Sequence, residues 1–240
     1  MCKCNTSRRR LPRRLIICAD YDMISVKFET AVENMLTQIS KVIISLVLSG
    51  IAALLYALYR GDERKMCMFA MFASTVADVF MTDILGIGAA STYPGAAFFI
   101  LAHILYALCF IKAGRRKGYR LINGGFKAGI LLTAAAFVLL TGLMLIVTGK
   151  VQGMFLPLTA YLVFIGFNLC CQFSYAYSDG GLRRFLMLGM LLFLVSDFLV
   201  FMPMLAIVKE TPQFNDLIWL AYIPAQLCIV LFCADFRKRG

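Results

Sequence analysis

The chain has 240 residues, of which 61% are hydrophobic and only 15% charged, with a mean hydropathy of +0.82. Soluble domains carry about 25% charged residues, so this composition excludes an ordinary soluble domain and places the chain in a membrane. The formal net charge of +11 does not point to nucleic acid, because Lys and Arg fall in short clusters between apolar stretches, the pattern of cytoplasmic membrane loops.

Residues 1–38 read as a tail, basic and then mildly acidic. Its basic part is "SRRRLPRR", Ser7 to Arg14, and Leu15 to Cys18 is too short for a spanning segment or a signal-peptide core. Two readings stand for this tail: translation starts at Met23, or Val26 to Gln38 belongs to a further membrane-embedded element.

Beyond the tail, residues 39–234 predict an all-α, polytopic transmembrane helix bundle. Seven segments have the length a helix needs to span, about 17 to 25 residues. They are Ile39 to Tyr59, Met66 to Leu85, Gly95 to Ile111, Ala128 to Thr148, Met154 to Tyr175, Phe185 to Val208 and Leu217 to Ala234. The connecting loops are short and leave no separate soluble domain.

Arg60, Arg64 and Lys65 follow span one; Lys112, Arg115, Arg116, Lys117 and Arg120 follow span three; Arg183 and Arg184 follow span five. Arg237, Lys238 and Arg239 lie in a basic tail, residues 235–240. The positive-inside bias places these clusters, and with them the C-terminus, in the cytoplasm. The alternate loops carry only Lys150, Lys209, Glu210 and Asp216.

Of the nine cysteines, Cys67, Cys109, Cys170, Cys171, Cys228 and Cys233 lie within apolar segments, where cysteine acts as a small hydrophobe. No disulfide framework follows. Cys2-Lys3-Cys4 lacks a second pair at zinc-site spacing, so neither a metal nor a cofactor is expected.

Few ionisable side chains fall inside the spans: Asp78 and Asp83 in span two, His103 in span three and Asp197 in span six, within "FLVSDFLVF", Phe193 to Phe201. A charged aspartate at the bilayer centre costs roughly 2.5 to 3.5 kcal/mol on insertion scales, which makes each of them a functional-site hypothesis. Asp78 lies 13 residues after Lys65 and Asp197 lies 13 after Arg184, so helical rise puts both roughly 20 Å above the same boundary. His103 in span three and Gln226 in span seven reach the same layer from the other side. Interhelical hydrogen bonding alone, worth about 0.6 kcal/mol on average, accounts for a single amide more easily than for two acids and a histidine at one depth. Tyr161, Asn168 and Gln172 share one face of span five, Tyr106 shares the face of His103, and Tyr222 that of Gln226. Asp83, near the outer interface, reads as a solvated helix end.

Asp78 in "STVADVFMTD", then "GAAFFILAHILYAL", "LPLTAYLVFIGF", "GMLLFLVSDFLVF" and "AYIPAQLCIVL" resemble, in order and spacing, the YhhN-like lysoplasmalogenase family. The likeness runs from about Lys41 to Cys233. It implies an integral membrane protein, usually of eight spans, in which the aspartates of a Gly-Asp and a Ser-Asp pair are catalytic. These map onto Asp78 and onto Asp197 beside Ser196, with His103, Tyr106, Tyr161 and Gln226 at other motif positions. Ala77 stands where the family has glycine, "MPML" replaces the usual ending after the second aspartate, and the first family span is not evident.

The activity the resemblance implies is cleavage of the vinyl-ether bond of a lysoplasmalogen to a fatty aldehyde and a glycerophospho-base. That chemistry protonates the β-carbon of the enol ether, stabilises an oxocarbenium ion and adds water to give a collapsing hemiacetal. It needs one protonated and one ionised carboxyl, a division that two acids close together in low dielectric favour, and glycosidases meet a related cation with two carboxylates. Asp78 and Asp197 are the expected pair, His103 orients one of them or a water, and Gln226 and Tyr222 hold ether or glycerol oxygens. The expected partners are a lysophospholipid substrate and membrane lipid.

The main alternative is a proton- or ion-coupled transporter of small solutes, since intramembrane acids also build ion pathways. Broken helices at matching repeat positions would mark it, but Gly86-Ile87-Gly88 has no counterpart near Asp197. A retinal protein is excluded because Leu217 to Ala234 has no lysine for a Schiff base. A purely structural or receptor role leaves the layer of acids unexplained.

Overall fold

The computed structural model describes residues 37–82, 84–180 and 184–234. The tail with Cys2, Cys4, Ser7 to Arg14 and Met23, together with Asp83, Arg183 and the basic tail from Arg237 to Arg239, lies outside the described residues.

Among the described residues there are seven α-helices and no strand. They are α1 (Thr37–Tyr59), α2 (Asp62–Met81), α3 (Thr92–Arg116), α4 (Gly124–Thr148), α5 (Phe155–Asp179), α6 (Phe185–Met204) and α7 (Pro212–Val230), the last running into a 3₁₀ turn at Leu231–Cys233. All contacts below are within the compact unit that begins at Lys41.

Six of the helices, α1 and α3 to α7, are long and apolar enough to cross a membrane, as in a multi-pass membrane protein. α2, counted as a span from sequence, is not among them, although at 20 residues it equals α6 in length. Asp62, Glu63, Arg64 and Lys65 open it, and its buried side includes Ser74, Thr75 and Asp78. That side faces other helices, which is where polar groups belong in a bilayer.

Helix ends follow capping chemistry that hydropathy does not register. α7 begins five residues before the apolar run, at Pro212, because Thr211 Oγ1 accepts the Phe214 backbone N–H at 3.2 Å and proline suits the first helical position. Asn123 caps α4 in the same way, accepting from Phe126 N at 3.0 Å. Gly149 ends α4 in the left-handed region at φ 68°, the conformation glycine adopts without steric cost. α6 stops at Met204 rather than Val208, with Pro203 in its last turn and Ala206 at φ 55°.

Packing is concentrated between α2 and α3, α4 and α5, and α6 and α7, with α3–α5 and α5–α6 contacts joining the pairs. α1 lies along α2, where Ser49 and Thr75 hydroxyls are 2.6 Å apart and Thr75 Oγ1 donates to the Ser45 carbonyl at 3.0 Å. α4 meets α5 through Gly125 and Gly129: a Cβ at the first would lie 2.2 Å from the Phe173 carbonyl oxygen, and at the second 2.7 Å from Cys170 Cα. Such small-residue spacing lets two backbones close together in lipid, where packing replaces the hydrophobic drive. α5 is the central helix, 56% buried across its apolar window, whereas α4 is 11% buried and faces outward.

Ion pairs close the two ends of the bundle. At the end formed by the start of α2 and the last turns of α3 and α5, Lys112 meets Asp62 at 2.6 Å, Arg116 meets Glu63 at 2.7 Å, and Lys117 pairs with Asp179. At the opposite end Lys41 of α1 meets Asp216 of α7 at 3.1 Å. The six described cysteines are free thiols.

Candidate functional site

Each interior helix contributes residues at spacings of three, four or seven, the spacing that stacks side chains on one helical face. On α3 these are Phe99, His103, Tyr106 and Phe110; on α5 Tyr161, Asn168 and Gln172; on α6 Met190, Phe193, Asp197 and Phe201; on α7 Trp219, Tyr222 and Gln226. All are buried. The bundle thereby forms two polar clusters in its interior.

The first cluster is built around Asp78 of α2. Its Oδ2 accepts two hydroxyl hydrogens, from Ser45 at 2.6 Å and from Tyr222 at 3.0 Å. Gln226 Nε2 donates to Tyr222 Oη at 2.8 Å, and Gln226 Oε1 accepts from Tyr106 Oη at 3.0 Å. Tyr106 Oη also lies 2.6 Å from Met71 Sδ. Both ends of the Gln226 amide are thus engaged by tyrosines, Tyr222 through Nε2 and Tyr106 through Oε1.

The second cluster is built around His103. Gln172 Nε2 donates to Asn168 Oδ1 at 3.3 Å, which leaves Asn168 Nδ2 facing His103 Nδ1 at 3.1 Å. With Asn168 Nδ2 turned to Nδ1, Nε2 is the ring nitrogen left toward Tyr161 and Asp197. Nε2 faces Tyr161 Oη at 3.5 Å and Asp197 Oδ2 at 3.6 Å. The second distance exceeds a direct hydrogen bond, and Asp197 Oδ2 is buried with no hydrogen-bond partner among the described residues. One aspartate therefore has a doubly bonded oxygen and the other an uncommitted one.

Phe193 separates and couples the clusters. Its ring meets the His103 ring at 4.9 Å and the Tyr222 ring at 5.5 Å, edge-on in both cases. Tyr161 closes the far side against Phe201 at 5.5 Å.

The structure thus brings together Asp78, Tyr222, Gln226 and Tyr106 in one cluster and Asp197, His103 and Tyr161 in the other. Ser196 is buried on α6 but donates to neither aspartate among the described residues. Three participants were not singled out from sequence: Ser45, Met71 and Phe193. Ser45 had a signal, since Lys41, Ser45 and Ser49 recur every four residues along one face of α1. Phe193 had none, because an aromatic within an apolar run looks like any other core residue.

Comparison with curated proteins and with solved structures gave no match. The model of the YhhN family matches residues 36–232, so this chain, in which Asp78 and Asp197 are both buried, belongs to the YhhN family.

Proposed function

We propose that the protein is a membrane-embedded hydrolase that cleaves the vinyl-ether bond of a lysoplasmalogen, releasing a fatty aldehyde and a glycerophospho-base. The observation that supports this reading is the asymmetry of the two buried acids: Asp78 Oδ2 is held by two hydroxyls, while Asp197 Oδ2 is uncommitted and faces His103 Nε2 at 3.6 Å.

In this reading Asp197 gives its proton to the β-carbon of the enol ether, and the ether oxygen's electron pair forms the oxocarbenium ion. His103 Nε2–H then stabilises the Asp197 carboxylate. Asp78, held in orientation by Ser45 and Tyr222, faces the cation as an anion and takes a proton from the attacking water. The hemiacetal collapses as Asp78 passes its proton to the departing glycerol oxygen and the Asp197 carboxylate takes the hydroxyl proton, giving aldehyde and alcohol with both acids as they began. One water is consumed and no electron changes hands.

The test is product analysis of purified protein given matched 1-alkenyl, 1-alkyl and 1-acyl lysophospholipids. Aldehyde from the alkenyl lipid alone is expected, because a saturated ether cannot be protonated to an oxocarbenium ion. Equal cleavage of the acyl lipid would overturn the paired-acid mechanism, and absence of aldehyde from folded protein would overturn the hydrolase reading.

A further inference from the structure

Lys41 is 6% exposed, an unusual state for a lysine near the end of a membrane bundle. Such lysines ordinarily extend toward the interface and leave the ammonium in water. Here the ammonium is covered, 3.1 Å from Asp216 Oδ1 and 5.6 Å from the centre of the Trp219 ring. Its carboxylate partner behaves oppositely, with 62% of the Asp216 side chain exposed. The pair thus joins a fixed cation to a carboxylate open to the surroundings.

This assembly lies directly over the site. Ser45, one turn beyond Lys41 on α1, donates to Asp78 at 2.6 Å. The Trp219 ring meets the Tyr222 ring at 5.3 Å, and Tyr222 also donates to Asp78. Four residues of helix separate the level of Lys41 from that of Ser45, about 6 Å of rise. A glycerol with its phosphoester is of comparable length, so an ether oxygen beside Asp78 places a phosphate beside Lys41.

We propose that Lys41, Asp216 and Trp219 form the headgroup subsite for a zwitterionic lysophospholipid, an inference that rests on the lysolipid reading above. On binding, the Lys41 ammonium exchanges Asp216 for the lipid phosphate, and Asp216 takes the ammonium of an ethanolamine or choline. Trp219 keeps its cation–π contact with the Lys41 ammonium and so senses the exchange. The exchange trades one ion pair for two without adding net charge, which spares the interface an uncompensated ion. Phosphate selectivity then belongs to Lys41 and amine selectivity to Asp216.

Trp219 is the only tryptophan of the chain, so its fluorescence reports binding directly and without turnover. Purified protein in a nonionic maltoside is titrated with 1-alkyl-glycerophosphocholine, 1-alkyl-glycerophosphate and 1-alkylglycerol, none of them cleavable by the proposed chemistry, and with free glycerophosphocholine. The phosphocholine lipid is expected to bind at least tenfold tighter than the alkylglycerol, and free glycerophosphocholine to bind far more weakly than its lipid. Lys41→Gln should remove the advantage of both phosphate lipids while leaving the alkylglycerol unchanged, and Lys41→Arg should restore it. Asp216→Asn should remove only the preference for phosphocholine over phosphate. If Lys41→Gln does not fold, the exposed Asp216→Asn change decides the question by itself.

Equal weakening of all three lipids, or no change in either variant, would overturn the subsite. Free glycerophosphocholine binding as tightly as its lipid would overturn the lipid as its source. Headgroup-selective binding without aldehyde release from an alkenyl lipid keeps the subsite and removes the hydrolase reading; aldehyde release with headgroup-blind binding does the reverse.

Discussion

Asn168 Nδ2 faces His103 Nδ1 at 3.1 Å, and this contact from α5 to α3 sets which ring nitrogen is turned to Asp197. Because His103 is the only histidine, ¹⁵N-histidine NMR of the detergent-solubilised protein gives a single imidazole to assign. The spectrum should show the proton on Nε2. Asn168→Asp supplies an acceptor at the same position and should move the proton to Nδ1, with aldehyde release falling about 10- to 100-fold as Nε2 ceases to donate. Asn168→Leu leaves a buried ring nitrogen unpaired and should cost about 1–3 kcal/mol of stability. An unchanged tautomer in Asn168→Asp would show that the amide does not set it.

Ser45 and Tyr222 approach the same oxygen of Asp78 from different helices. Ser45→Ala and Tyr222→Phe each remove one donor at a cost of about 1 kcal/mol in folding stability. Their effect on turnover should be larger, about tenfold each, because Asp78 then loses its orientation. The two changes share one partner and should couple non-additively in a double-mutant cycle of aldehyde release rates. Strict additivity would mean that the two hydroxyls do not act through Asp78.

Much of this arrangement was legible in the chain. The apolar runs give the helices, and Asp78 and Asp197 stand out because an acid within an apolar run is conspicuous; both are buried in the bundle. The partition into two clusters was not legible. Nothing in sequence spacing says that Gln226 spends both ends of its amide on Tyr106 and Tyr222, or that Phe193 stands between His103 and Tyr222. Those facts depend on helix rotation and crossing, which hydropathy does not encode. Helix starts were misread for a different reason: Thr211 and Pro212 extend α7 through a polar stretch by capping. α2, read as a span from its apolar residues, is not among the six helices apolar enough to cross, because charged residues open it and Ser74, Thr75 and Asp78 lie on its buried side.

The closeness of α4 and α5 rests on Gly125 and Gly129, and Gly142 provides an internal control. A Cβ at Gly129 would lie 2.7 Å from Cys170 Cα, whereas nothing lies within 4 Å of one at Gly142. Gly129→Val should destabilise the protein by about 1–3 kcal/mol through overpacking. Gly142→Ala should be neutral or stabilising by up to about 1 kcal/mol, the usual helix preference for alanine. Thermal inactivation in detergent measures both, and equal effects at the two positions would contradict the close α4–α5 approach.

The basic end of the bundle is expected to face the cytoplasm. Arg115 is exposed near the end of α3, beside Lys112 and Arg116, which pair with residues at the start of α2. A cysteine in place of Arg115 should be protected from an impermeant thiol reagent in intact cells and labelled once the membrane is opened, measured above the wild-type background. Labelling in intact cells would invert the bundle and place the Lys41 end in the cytoplasm.

The strongest separation between a catalytic and a packing role comes from the two acids themselves. Asp78→Asn keeps an oxygen that can accept from Ser45 and Tyr222, so the hydrogen-bonded frame around it should survive and thermal stability should stay near that of the unmodified protein. Asp197→Asn changes a side chain whose Oδ2 has no partner among the described residues, so it too should fold. Neither amide can exchange the proton the reaction needs, and each change should lower aldehyde release by about 10² to 10⁴-fold, the usual worth of acid–base catalysis. Asp197→Glu retains the acid but moves it by one methylene, and should recover part of the rate, whereas the packing role has no reason to favour glutamate over asparagine. Rates near wild type in either asparagine variant, with product analysed by mass spectrometry, would return that aspartate to the frame of the bundle.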